Sequence, residues 1–328
     1  MSMFHNQFVH WDLPTLVAAL QPIINHECEE LRFDGVPEHV LQSVVNFSST
    51  PGGHAILDGF EALRIDFNRE RLIVHWPTRW DAIPKTIFAR LIHQGLFQPN
   101  RMHNGHTLFD VGDIDIAQTV RLLDGIKCPV FRIHPRQGLG GSNITNDPTF
   151  VIEVGFSSQR QQLHRNAARY ICMSGGEINI ASSLELDFFE FPDGSLVLMK
   201  AVWSNWRLQS EELVPGMDGR QPPVFRSIPY SANANGSSQY EGIIDATRYV
   251  AYEDERYQIF PHESEGPQEI TFLYDDFLEF PENDNAVAAR IPFRLIEEVI
   301  FQHSARGPQG WIYDPESEDY PVGYLGTD

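Results

Sequence analysis

The sequence predicts an α/β fold, and three patterns carry that expectation. A strand–turn–helix–turn–strand signal runs from Asp147 to Asp187. Two alternating stretches, Ala62–Asn68 and Arg71–Trp76, read as a β-hairpin. Amphipathic helices are expected at Pro84–His93 and Pro292–His303, interleaved with strand signals, so helices and strands share one chain.

The central signal is the most detailed. Thr149–Phe156 is rich in β-branched and aromatic residues. Alternation puts Phe150, Ile152, Val154 and Phe156 on one face, and Val151, Glu153 and Gly155 on the other. Ser157 and Ser158 offer an N-cap. A helix then spans Gln159–Cys172, with Leu163, Ala167, Tyr170 and Ile171 at core spacing, and Gly175 and Gly176 end it. Glu177–Leu186 alternates again. Strand, helix and strand in so short a span predict a βαβ crossover with parallel neighbours.

The other elements follow in order. Asp12 caps a helix beginning near Leu13, with Pro14 in its first turn, and Glu38–Val45 is a second short helix. Asp113 is read as the cap of a helix through Ile116, Val120 and Leu123, ended by Gly125. Pro129–His134 reads as a strand. Residues 184–191 and 196–203 form a hairpin about Pro192-Asp193-Gly194. Residues 207–247, polar and rich in Pro, Gly and Asn, are expected to be a flexible insertion. Glu269–Tyr274 is a short strand. The expected regions are therefore 1–110 (α+β), 111–206 (core), 207–247 (insertion) and 248–328 (an acidic strand–helix region packed on the core).

Composition narrows the class. The chain has 328 residues, is 42% apolar and has a net charge of -21. No apolar run approaches a membrane span, and the first dozen residues lack the basic-then-apolar pattern of a secretory signal. Cys28, Cys128 and Cys172 are odd in number and far apart, which suits reduced thiols in a cytoplasmic or nuclear setting. Charge is uneven. Residues 251–328 hold 18 Asp or Glu against 4 Arg and no Lys, a surface for a basic protein partner. Residues 121–171 hold 7 Lys or Arg against 3 acids and form the one segment suited to a nucleic-acid backbone.

Candidate chemistry is sparse. His103-Asn104-Gly105-His106 marks a turn rather than a metal site, because no further ligand lies at a zinc spacing. Asp113 and Asp115 fit a helix start, and Asp275-Asp276 a solvated turn. No nucleophile-elbow, zinc-protease or phosphate-loop pattern is present. Glu153 stands out. It is either a solvated acid on an edge strand or a cleft-facing metal ligand.

The run from Phe150 to Leu186 resembles the core of the restriction-endonuclease-like, or PD-(D/E)XK, superfamily. It is most similar to a large group of uncharacterised fungal proteins within it. Glu153, Val154, Gly155, Phe156 and Ser157 match the strand motif, Leu163, Ala167 and Tyr170 the helix, and Ser174 and Gly176 the turn after it. The resemblance covers 129–206 and extends weakly over 269–303. It implies an αβββαβ core with a mixed sheet, preceded here by an α+β extension. It also implies a nuclease or other phosphodiesterase using Mg2+, held by Glu153, by the main-chain carbonyl of Val154 and by an upstream acid. Asn143 occupies the slot for that acid and Asp147 is the nearest carboxylate. Gly155 stands where the superfamily carries Lys. A helix projected at about 100° per residue puts Arg160, with His164 behind it, at the border of the buried stripe, as the replacement cation. The alternative is an inactive nuclease fold that serves as a protein-interaction module.

Overall fold

The computed structural model describes residues 10–48, 50–57, 60, 63–68, 71–97, 102–103, 106–107, 109–110, 120–135, 148–192, 196–215, 222–228, 239–261, 266–273, 276–277 and 287–304. The fold is mixed α/β, with multi-strand sheets, helices and no closed barrel among the described residues. It divides into two compact units, residues 1–77 with 117–129 and residues 78–116 with 130–328.

The first unit opens with helix α1 (Leu13–Ile24), whose first turn is fixed by Asp12 accepting from the Thr15 N–H at 2.9 Å. Strand β1 (Glu30–Asp34) and helices α2 (Glu38–Ser48) and α3 (Pro51–Ile56) follow. The expected hairpin is β2 (Arg64–Asn68) against β3 (Arg71–His75), in a register that pairs Ile65 with Val74 and Phe67 with Leu72. Those four side chains are buried with Leu16, Leu20, Val40 and Val44.

Helix α4 (Ala82–His93) begins the second unit, followed by two-residue strands β4 (Met102–His103), β5 (His106–Thr107) and β6 (Phe109–Asp110). His103 pairs with His106. The chain then returns to the first unit as a hairpin, β7 (Val120–Leu122) and β8 (Gly125–Lys127), giving the sheet order β1-β3-β2-β8-β7. This corrects the helix expected through Val120 and Leu123. Val120 and Leu122 are buried on either side of an exposed Arg121, a period of two, while Leu123 faces solvent. Asp113, Asp115 and Ile116 lie outside the described residues.

The second unit continues with β9 (Phe131–Pro135), β10 (Phe150–Phe156), helix α5 (Arg160–Met173), β11 (Ile180–Glu190), β12 (Leu196–Leu213), β13 (Val224–Ile228), β14 (Gln239–Ile244), β15 (Thr247–Phe260), β16 (Glu269–Leu273), β17 (Val287–Pro292) and α6 (Phe293–Ser304). Its large sheet has the order β13-β14-β15-β12-β11-β10-β9-β6. Strands β10 and β11 run parallel and α5 connects them, the expected crossover. The left-handed backbone at Gly175 and Gly176, φ +71 and +89, ends α5, and an L side chain there would be strained. The helix start differs from expectation: Ser157–Gln159 form a 3-10 turn, and no side chain caps the first turn of α5.

Within 207–247, read from sequence as a flexible insertion, residues 207–213, 224–228 and 239–244 are instead the end of β12 and strands β13 and β14. They are held by ladders to β15 and β14, pairings that local composition does not reveal. One face of the sheet packs Phe150, Ile152, Leu184 and Trp203 against Phe88 and Leu91 of α4, Phe272 of β16, and Ile296 and Ile300 of α6. Helix α5 lies against the opposite face. Among the described residues no helix is long and apolar enough to cross a membrane.

Candidate functional site

Alternation along β10 sends Val154 and Phe156 toward the apolar core and turns Glu153 and Gly155 toward α5. Glu153 is only 3% exposed, and the Tyr170 hydroxyl on α5 donates to its Oε1 at 2.8 Å. The solvated edge-strand alternative is thereby excluded, because β10 is paired on both sides and the helix covers the acid.

Parallel register places Ser183 beside Glu153 and Glu185 beside Gly155. Ser183 is 1% exposed and its Oγ has no hydrogen-bond partner. Glu185 is 5% exposed. Its Oε2 lies 3.3 Å from Arg160 Nε in an ion pair, without the geometry of a hydrogen bond. On the next strand Ser204 stands beside Ser183 and donates to Glu253 Oε1 at 2.6 Å. A polar row therefore crosses four strands, β10, β11, β12 and β15, on the α5 side of the sheet.

His164 closes the row from above, 4% exposed and edge-on to Trp206 with centroids 5.3 Å apart. Burial pushes its imidazole down to about 4; Glu253 opposes the shift, while Arg160 and Arg256 reinforce it. At neutral pH His164 is therefore uncharged, and the cationic role expected of it is left to Arg160. The Trp206 indole N–H is likewise buried without an acceptor.

Of the expected site residues, Glu153 meets Tyr170, Arg160 meets Glu185 and His164 meets Trp206, all on the α5 side of the sheet. The Val154 side chain points away into the core, which leaves only its carbonyl on the ladder for any ligand role. Asn143 and Asp147 lie outside the described residues. The sequence reading did not single out Ser183, Glu185, Ser204, Glu253 or the Tyr170 hydroxyl. Period-two counting along Ser183-Leu184-Glu185, once its strand is set parallel to Glu153, is the signal that finds the first two.

The basic segment is not one phosphate-binding face. Lys127 is buried against Asp66 at 2.7 Å, and Arg132 and Arg169 are buried. Arg165 lies over the Phe225 ring, and Arg160 pairs with Glu185. Arg121 and Lys127 also belong to the other compact unit. Asp276, expected in a solvated turn, is buried: it takes a 2.6 Å bond from Arg207 Nη1 and a 2.7 Å bond from the Leu273 N–H.

Among the described residues no three His, Cys, Asp or Glu side chains converge as a ready-made metal cluster. No family model matches this chain, and neither a curated relative nor a solved structure matches it.

Proposed function

We propose that this chain is a Mg2+-dependent phosphodiesterase with a restriction-endonuclease-like core, cleaving nucleic acid at the β10–α5–β11 unit. The observation that carries the reading is the shared face of two parallel strands. There Glu153 and Glu185 lie on either side of an unpartnered Ser183 hydroxyl, with Arg160 reaching in from the connecting helix.

The residues fit a hard cation in one specific respect. A buried oxygen donor without a partner is uncommon in folded proteins, and here it adjoins a buried carboxylate. Glu153 and the Val154 carbonyl would hold the ion. When bound, Mg2+ neutralises phosphate charge and acidifies water. The chain's own groups do the rest. The Tyr170 hydroxyl fixes the Glu153 rotamer. Arg160, with its side chain 41% exposed, can meet an incoming phosphate oxygen. His164, uncharged at neutral pH, accepts a hydrogen bond rather than supplying charge.

The test is incubation of the full chain with single-stranded DNA, duplex DNA and RNA in Mg2+, alongside Glu153→Ala. Cleavage that disappears in the variant is expected. Intact substrates of all three kinds with the wild type would sink the proposal.

A second reading, a catalytically inactive nuclease fold serving as an interaction module, is favoured by two contacts. Tyr170 already occupies Glu153 Oε1. At Gly155, where the superfamily carries Lys, a Cβ would meet Leu163 Cδ1 at 3.4 Å, so a longer side chain has to displace Leu163. On this reading the acidic C-terminal third binds a basic partner. Titration of the full chain with a lysine-rich peptide tests it: no saturable binding rules this reading out.

A further inference from the structure

We infer that Ser183 and Glu185, on the strand after the helix, complete the cation site that Glu153 begins. The second carboxylate is thus supplied by β11 rather than from upstream of β10. The inference rests on the metal-dependent reading above and deepens it.

Three observations meet here. First, register fixes the placement. Glu153 and Ser183 are direct neighbours on parallel strands, and Glu185 stands two residues further along the same face. Second, Gly155 is the neighbour of Glu185 and carries no side chain, so β10 itself places no group beside Glu185; the side chain that covers this glycine is the apolar Leu163 of α5. Third, the polar atoms are incompletely matched. Ser183 Oγ has no partner at all, and Glu185 Oε2 has a cation at 3.3 Å but no hydrogen bond. A buried hydroxyl without a partner and a buried carboxylate oxygen without a hydrogen bond are both unfavourable. An ion between two acids and a hydroxyl relieves both. Hard divalent cations select such oxygen donors.

A carboxylate supplied from β11 makes an upstream one unnecessary. Arg160 then acts as the counter-charge of Glu185 when the ion is absent.

The experiment uses the full chain with Mg2+ or Mn2+ alone, read by calorimetry and by the metal-induced shift in thermal unfolding. Variants are Glu153→Gln, Glu185→Gln and Ser183→Ala, with Glu298→Gln on α6 as control. Losing an outer-shell partner of a metal weakens binding about 10- to 100-fold, so losing a direct carboxylate should weaken it at least about tenfold. Glu153→Gln and Glu185→Gln are expected to lose at least that much, Ser183→Ala a few-fold, and the control nothing. Glu185→Gln binding as the wild type does, while Glu153→Gln fails, would overturn the inference and leave the phosphodiesterase reading standing. No saturable binding by the wild type would overturn both. Should Glu185→Gln prove unfolded without metal, Ser183→Ala decides: unchanged affinity in that smaller variant overturns the inference.

Discussion

Two buried glutamates in the second unit, Glu241 and Glu185, show different ways of keeping a carboxylate under a protein surface. Glu241 on β14 accepts from Arg226 Nε at 2.5 Å through one oxygen and from Arg248 Nε at 2.6 Å through the other. Burial alone would push its carboxyl up. The two arginine hydrogen bonds outweigh that and hold it below the usual 4.5. Glu185 is as deeply buried, but it has one guanidinium at 3.3 Å and an oxygen without a hydrogen bond. A buried acid kept for structure has its lone pairs matched, because breaking a matched pair is costly. Glu241 meets that description and Glu185 does not, and that difference is what motivates the proposed site at Glu185.

Acid should separate the two regions most. With its folded value near 4 and an ordinary value of 6.5, His164 resists protonation in the native state while the unfolded chain takes up the proton. Its contribution is therefore lost as pH falls from about 6.5 toward 4. At about 1.4 kcal/mol per unit, the ceiling is about 3 kcal/mol. The stability gap between wild type and His164→Gln should shrink by that amount between pH 7 and pH 4, measured by urea unfolding. A gap independent of pH would mean that the imidazole is not held neutral. Glu241 loses its contribution later, as pH drops through a folded value lying below 4.5. The α5 side of the sheet should thus weaken before the arginine clamp does.

Tyr170→Phe comes next in size. It removes a hydrogen bond from a buried carboxylate and should cost about 2 kcal/mol. Millimolar Mg2+ should restore part of that loss if Glu153 is a cation ligand, and none if the acid is purely structural. Glu241→Gln should cost less, about 1 kcal/mol, because Arg226 is 65% exposed and rehydrates easily. Its stability should not respond to Mg2+ at all. A Mg2+ response at Glu241 equal to that at Glu153 would erase the distinction between clamp and site.

Much of this region was legible in the chain because its signals are local. Alternation over Phe150–Phe156, the apolar stripe through Leu163 and Ala167, and the two glycines after α5 mark out the strand, the helix and its end and put Glu153 on the face away from Phe150 and Ile152. Only the structure shows that this face is covered by the helix. What stayed hidden depends on partners remote in sequence. Arg226 in β13 and Glu241 in β14 look like loop residues until strand pairing draws them into a sheet. Asp276 reads as a turn acid until Arg207, far upstream, reaches it. Val120 and Leu122 fit either period when so few residues are counted, and the β8 ladder to β2 decides for strand. Glu185 is the instructive case. Its face follows from counting, yet its importance depends on which strand lies alongside and in which direction, and local pattern does not fix that.

Arg160 gives the smallest effect on stability and the sharpest test of sign. Its side chain is 41% exposed, so Arg160→Gln should change folding free energy by under about 0.5 kcal/mol. Its effect on the site should be larger and should split by readout. In the absence of metal the guanidinium is the positive charge beside Glu185, so removing it leaves that carboxylate freer to take another cation. Mg2+ affinity should then rise a few-fold by calorimetry. On the proposed phosphodiesterase reading, cleavage should nonetheless fall, because that reading gives the same guanidinium the task of meeting phosphate. If affinity and cleavage fell together, Arg160 would be supporting the helix rather than competing with an ion. If neither moved, the ion pair would be a surface contact and the contrast with Glu241 would lose its meaning.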